Sequence, residues 1–482
     1  MSNKPIILIE FNELCPPLLE RWISAGELPN FARFRDSSQV FTTESDEPAA
    51  PNLEPWIQWY SLHTGLPFKE HKIFHLTDGP RATHDDVWHM LAREGLAVCN
   101  FSSMNARRIN GERNIYLGDP WCNGEPANPA PLNSFQNYVA ANVREYSNAQ
   151  RKVGLKEHAA FVWFLVRNGL RLSTGTRVLR QLAHEFADGG SSSWKRASLL
   201  DLLMFDVFTD YYRRYRPDFA TFFCNSTAHF QHSYWRHMNP APFANKPSDE
   251  ERRKYENAIL HGYKAMDNLL EDFFALEREG ATLILATALS QQPFLKWEAI
   301  GGQRFYRPHD VEAMLRQFEI DFAQIEPVMT HQFMVRFANA ELAANAQRRM
   351  LTIAVDGVPI FQVDRKNADA LMVGNVCRTL VDPDSVVRMA ESNRTWRYGD
   401  LFYLIDATKS GAHHPDGVLW IKSGTPAVHR QKVSILDVLP TILDMVGVPH
   451  APESKLDGIS LLSQFGRTAD PSELPVAAHA AE

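Results

Sequence analysis

Five short apolar runs, Ile6–Ile9, Leu96–Cys99, Phe219–Cys224, Thr282–Ala286 and Val418–Ile421, restrict the fold of this chain more than any other feature. Each run is continuous rather than alternating, so each predicts a strand buried on both faces. Between them lie stretches of helical pattern, such as Pro29–Phe34, Val87–Glu94 and Tyr255–Glu279. Continuous apolar strands alternating with helices predict an α/β fold, a doubly wound, mostly parallel sheet covered on both faces. Sheets of this kind hold ligands beyond the strand C-termini, so the residues just after each run are the first candidates for chemistry.

Two long segments interrupt the rhythm. Residues 123–215 open on a Pro/Asn-rich stretch and read as a mostly helical insertion. Residues 300–400 read as an α+β cap, with a helix over about 335–349 and a hairpin turning at Asp356-Gly357. The core is then expected in three parts, 1–122, 216–299 and 401–470, with 471–482 as a loose tail. The 482 residues carry 50 basic and 57 acidic side chains, a formal charge of −7, with no run of five or more basic residues. Binding to nucleic acid therefore has no electrostatic support. No apolar stretch reaches the roughly 18 residues of a membrane span. The five cysteines are odd in number, far apart and in no Cys-x-x-Cys pair. These features predict a cytoplasmic protein, with neither membrane nor nucleic acid as partner. The oligomeric state is not legible, although aromatic-rich helices at 155–180 can bury against the core or against another subunit.

After the first run stands Glu10-Phe11-Asn12-Glu13, two carboxylates and an amide at the sheet mouth. They suit a metal or a polar substrate, or equally the acidic first turn of a helix. After the third run come His229 and His232, three apart, a spacing that puts both imidazoles on one side of a helix and suits a divalent metal. His413, just before the last run, can complete such a set from afar. Glu54-Pro55-Trp56-Ile57-Gln58-Trp59 reads either as an aromatic pocket wall around Glu54 and Trp59 or as a helix start. Ser290 and Gln291, after the fourth run, offer a hydroxyl and an amide. Arg307 and His309, within RFYRPHD, can contact an anionic group or be structural. Phosphate loops of the Walker or Rossmann kind are absent, as is a Gly-x-Ser-x-Gly elbow.

Taken in order, these segments resemble the alkaline phosphatase superfamily in its type I phosphodiesterase/nucleotide pyrophosphatase branch. IILIEFNELCPPLLERWISAGELPNFARF looks like that branch's first strand, first metal ligand and following helix. WIQWYSLHTGLPFKEHKIF, HFQHSYW, GAHHPDGVLWIKSG and VSILDVLPTILDMVGVP are similar to its later motifs, in the same order along the chain. The resemblance implies an alkaline phosphatase-like core. In the family it implies two metal ions, usually zinc, around a Thr or Ser nucleophile.

The same comparison implies that this chemistry is eroded here. The first metal Asp falls on Asn12, the nucleophile at Pro55 beside Glu54, and the Asp of the His232 motif on Ala228. The motif that normally supplies an Asp and a His reads Thr287-Ala288-Leu289-Ser290. Only His232 and His413 remain. The resemblance then implies a divergent hydrolase or transferase acting on a small-molecule substrate with one divalent metal, zinc foremost and manganese or iron as alternatives. His229, His232 and His413 are its expected ligands. Glu10, Asn12, Glu54 and Ser290 are the expected catalytic residues, and Trp59, Gln291, Arg307 and His309 the expected substrate contacts. An inactive binding protein on the same fold, or a metal-free acid/base enzyme, stays open at this level.

Overall fold

The computed structural model describes residues 4–121, 125–145, 154–300, 304–327, 332–390, 392–405, 409–449 and 456–465. The expected tail at 471–482 and Cys122 lie outside these. Nine strands in the described residues make one mixed sheet. The strands that matter to the site are β1 (Ile6–Phe11), β2 (Gln39–Glu44), β3 (Val98–Phe101), β4 (Ile115–Leu117), β5 (Phe219–Cys224) and β6 (Thr282–Ala286). Beyond β6 come β7 (Ser290–Pro293), then β8 (Gly411–His414) and β9 (Asp416–Ile421). The order across the sheet is β2-β9-β6-β1-β5-β3-β4, with short strands at Ala427–Val428 and Val433–Ser434 beside β2.

The five strands β6-β1-β5-β3-β4 are parallel throughout. The fifth apolar run does not join them in direction: β9 runs antiparallel to both β6 and β2. A run buried on both faces reads the same in either direction, so its sense was invisible in the pattern. Alternate residues of β1 feed opposite layers. Ile7, Ile9 and Phe11 enter one core cluster, whereas Ile6 and Leu8 enter the other.

In chain order the covering helices are α1 (Pro16–Ser24), α2 (Pro29–Asp36), α3 (Pro55–Thr64), α4 (Val87–Arg93), α5 (Leu155–Arg167) and α6 (Leu172–Ala187). They continue with α7 (Arg196–Tyr215), α8 (Ser226–Met238), α9 (Ala258–Arg278) and α10 (Val438–Val446). Leu19, Phe31, Phe205 and Phe273 bring α1, α2, α7 and α9 to the first face. Trp59, Trp88 and Leu439 bring α3, α4 and α10 to the second. Pro55 opens α3 at its first position, where a missing N–H costs nothing, and Gly65 at φ 63 closes it.

Residues 306–404 carry a core cluster of their own around Phe333, Phe361 and Tyr398. Within it the helix forms at Ala340–Leu351, and the turn at Asp356-Gly357 takes left-handed angles at both residues between strands Ala354–Val355 and Val358–Pro359. That pair of positive φ values is what a two-residue hairpin of the right twist requires. Cys15, Cys99 and Cys224 are buried free thiols. No described helix is long and apolar enough to cross a membrane.

Candidate metal centre

The site begins two residues beyond β1. Asn12 N donates to Cys224 O, extending the β1–β5 ladder by one bond, and Glu13 then turns at φ 62. This left-handed angle is uncommon for a residue with a side chain. Here the surrounding bonds hold it, for Gln231 Nε2 donates to Glu13 O at 2.7 Å. The Glu13 carboxylate meets two imidazoles in the crevice. Its Oε2 lies 3.2 Å from His232 Nε2, and its Oε1 lies 3.8 Å from His413 Nε2. One ligand atom from each residue falls within 4.8 Å of the others, the one such group among the described residues.

Both imidazoles are oriented from behind. His232 Nδ1 lies 3.1 Å from Gly411 O, and His413 Nδ1 lies 2.8 Å from Leu53 O. A carbonyl only accepts, so each ring carries a proton on Nδ1 and turns Nε2 toward Glu13. Gly411 is needed for this: a Cβ there would stand 2.5 Å from Gln231 O, so only glycine lets β8 approach α8 closely enough.

Glu13 is held in turn by amides. Asn12 Nδ2 donates to its Oε1 at 3.1 Å and to Asn225 Oδ1 at 2.8 Å. Gln291 Nε2 donates to its Oε2, and to Ala228 O at 3.1 Å. Burial pushes the Glu13 carboxyl up, but the His232 and His413 imidazoles, with hydrogen bonds from His232 and Gln291, bring it down to about 2. Burial holds His413 down at about 3, outweighing the adjacent Glu13 carboxylate. The centre is thus a carboxylate facing a neutral imidazole, with His232 Nε2 beside them.

Glu54, at the N-cap of α3, is partly exposed and its Oε2 lies 3.4 Å from His413 Nδ1. Burial pushes its carboxyl up to about 7; Lys409 offsets this only in part, and Glu13 adds to it.

The fold distributes the other expected site residues differently. His229 is exposed and joins no ligand group. Three residues of helix turn through about 300°, so one imidazole of the pair faces Glu13 while the other points about 60° away. Glu13 stands in the place expected for His229. Glu10 is fully buried among the α3 side chains, its Oε1 2.7 Å from His63 Nε2, and is remote from solvent. Asn12 is consumed as a bracket, since Trp59 Nε1 donates to its Oδ1 at 2.8 Å. That bond, and full burial, make Trp59 an internal brace and not a pocket wall. Ser290 is buried on β7 opposite His414 of β8. Gln291, opposite His413 in the same ladder, touches Glu13 and so positions its carboxylate. Arg307 and His309 belong to the cap, where Arg307 pairs in register with Tyr403 and His309 Nε2 lies 3.1 Å from Gly399 O.

Ala228, Ala288 and Leu289 are all buried and apolar, and offer no ligand atom. The placement of Glu13 against His232 and His413 is what sequence reasoning missed. Period-two alternation along β1 was the available signal: it sends Glu10 to the Leu8 face and leaves Glu13 beyond the strand end.

A family model described as type I phosphodiesterase / nucleotide pyrophosphatase matches residues 6–369. Among solved structures, the chain is similar to phosphonoacetate hydrolase from Sinorhizobium meliloti 1021 in complex with phosphonoformate. The identity is 14%, covering 92% of this chain and 96% of that one, with a TM-score of 0.41. It is also similar to wild-type alkaline phosphatase PafA, at 12% identity, 95% and 100% coverage and a TM-score of 0.43. No curated protein matches the chain.

Proposed function

The chain belongs to the type I phosphodiesterase/nucleotide pyrophosphatase family, and on that premise we propose that it is a hydrolase using one divalent cation held by Glu13, His232 and His413. The observation that carries this reading is the shape of the donor set. Two imidazoles with their Nδ1 protons fixed on backbone carbonyls converge on one ionised, buried carboxylate. Zinc bonded at about 2.0–2.1 Å in a tetrahedron needs ligand atoms about 3.3 Å apart, close to the 3.2 and 3.8 Å found here. Two histidines and one glutamate also suit iron(II), so zinc stands first and iron second. A bound cation supplies a water of lowered pKa and polarises an ester oxygen.

The chain's own residues do the rest. Asn12 and Gln291 fix the Glu13 carboxylate, and Leu53 O and Gly411 O fix the rings. Glu54, partly exposed and 3.4 Å from His413 Nδ1, is the carboxylate we assign to take a proton from an attacking water; Glu10, sealed under α3, is not. Pro55 has no nucleophile to offer, so water attacks directly and no covalent threonine intermediate forms. An inactive binding protein is a poorer account, because burying a carboxylate against two imidazoles is costly without a ligand or proton to bind.

Equilibrium dialysis with zinc and elemental analysis test the reading. One ion per chain, lost in His232→Ala and in Glu13→Gln, is expected. Two ions per chain, or one that survives both substitutions, overturns it.

A further inference from the structure

Helix α6 is mounted with its polar side inward. Its buried residues are Thr174 and Glu185, and Gln181 between them bonds to Ser192 O and Glu185 at 3.0 Å. Glu185 in turn takes Arg196 Nε at 2.7 Å. The opposite arrangement faces solvent. Leu172, Leu179, Leu182 and Phe186, with Gly175 between the first two, are spaced 3-4-3-4 along the helix, the seam of a helix that packs on another helix. Adjoining α5 presents Val162, Trp163 and Val166 outward, and Leu155 at its start.

These side chains are 45% to 93% exposed. A soluble surface scatters large apolar residues singly, whereas here they are gathered on two consecutive helices. Folding gains nothing from this stripe in an isolated chain, because the apolar side of α6 rests on no described part of it.

We infer that this face is the contact surface of a homodimer, with α5 and α6 of one copy packed on α5 and α6 of a second. The exposed apolar side chains amount to roughly 1,000 Å² per copy, against about 800 Å² per partner in a stable interface of standard size. The seam is self-complementary: a two-fold axis at Leu179 sets Leu172 of one copy against Phe186 of the other, seven residues to either side. Of the positions flanking the seam, Thr176, Val178 and Ala183 are uncharged and Glu185 is turned inward onto Arg196, so two identical surfaces meet without like-charge repulsion. Gly175 has open space where a Cβ would stand, which lets a second helix approach there. The chain's own C-terminal stretch, 466–482, offers only Leu474 and Val476 as large apolar residues and is a poor cover for such a face.

Light scattering on the full chain at micromolar concentration tests this. The wild type is expected at twice the chain mass, with a melting temperature that rises with concentration, and Leu179→Arg and Phe186→Arg at the chain mass with unchanged circular dichroism and a melting temperature independent of concentration. Leu179→Cys, oxidised with copper phenanthroline, is expected to give a disulfide-linked dimer on a non-reducing gel. A wild type that stays at the chain mass, or arginine variants that remain dimeric, overturns the inference. A monomer that pellets with phosphatidylglycerol vesicles, and loses this in Phe186→Arg, overturns it in favour of a lipid surface. All of these readouts are independent of the metal centre.

Discussion

Replacing Gln291 by Leu or by Glu separates a residue that merely packs from one that sets the metal centre. Gln291 gives one N–H to Glu13 Oε2 and one to Ala228 O, while its own Oε1 is buried without a partner. In the leucine variant the bond to a charged acceptor goes, worth about 1.5–3 kcal/mol, and part of that returns because an unsatisfied oxygen goes too. Net destabilisation of about 1–2 kcal/mol is therefore expected. Metal affinity should fall further, since residues that orient a ligand carboxylate are worth about 10–100-fold, or about 1.4–2.8 kcal/mol. The glutamate variant is the sharper probe, because it keeps the size of Gln291 but sets a second carboxylate against Glu13. The two then share a proton, and the one ionised ligand is compromised. Competition against a calibrated chelator reads the affinity, and urea unfolding of the chelated proteins reads the stability. The expected order of affinity is wild type, then Leu, then Glu. Equal affinities for all three, beside the expected loss of stability, would refute the reasoning and leave Gln291 as packing.

Three further outcomes follow from the same structure. Restoring the family's residues with Asn12→Asp and Pro55→Thr should yield no hydrolysis of an aryl phosphodiester, because Ala288 and Leu289, buried and apolar, supply no ligand for a second metal and a carboxylate in place of the Asn12 amide would repel Glu13. Burial holds His71 down at about 3, where its Nδ1 accepts from Ile73 N–H at 2.9 Å and its Nε2 faces Ser61 Oγ at 2.9 Å. Its folded pKa lies below the unfolded one, so its contribution is complete above about pH 6.5 and is lost as pH falls toward 3, by up to about 4–5 kcal/mol. Urea midpoints measured across that window should fall less steeply in His71→Gln. Burial pushes the Asp201 carboxyl up to about 7, against hydrogen bonds from Ser226 and Cys224. A raised acid costs stability as pH rises from about 4 to 7, so Asp201→Asn should raise the melting temperature at pH 8 and lose that gain toward pH 4.

The apolar runs placed β1, β3, β5, β6 and β9 because continuous burial on two faces leaves few other arrangements for short apolar segments. They did not place β2, whose QVFTTE alternates and reads as an ordinary half-buried segment. The pair His229 and His232 drew attention to α8, but helical spacing alone could not say which ring would meet the crevice.

Local pattern thus determined the layers and the site's position beyond the strand ends. The family resemblance, not the local pattern, is what implies that Asn12, Pro55, Ala228 and Leu289 stand where a two-metal pocket with a threonine nucleophile would have its working residues. Tertiary structure decided the rest. The backbone turn at Glu13, the Gly411 carbonyl behind His232 and the β7–β8 ladder that sets Gln291 beside His413 join positions 122 to 278 residues apart. Contacts of that range leave no trace in local periodicity, because their geometry exists only once the sheet is assembled around them.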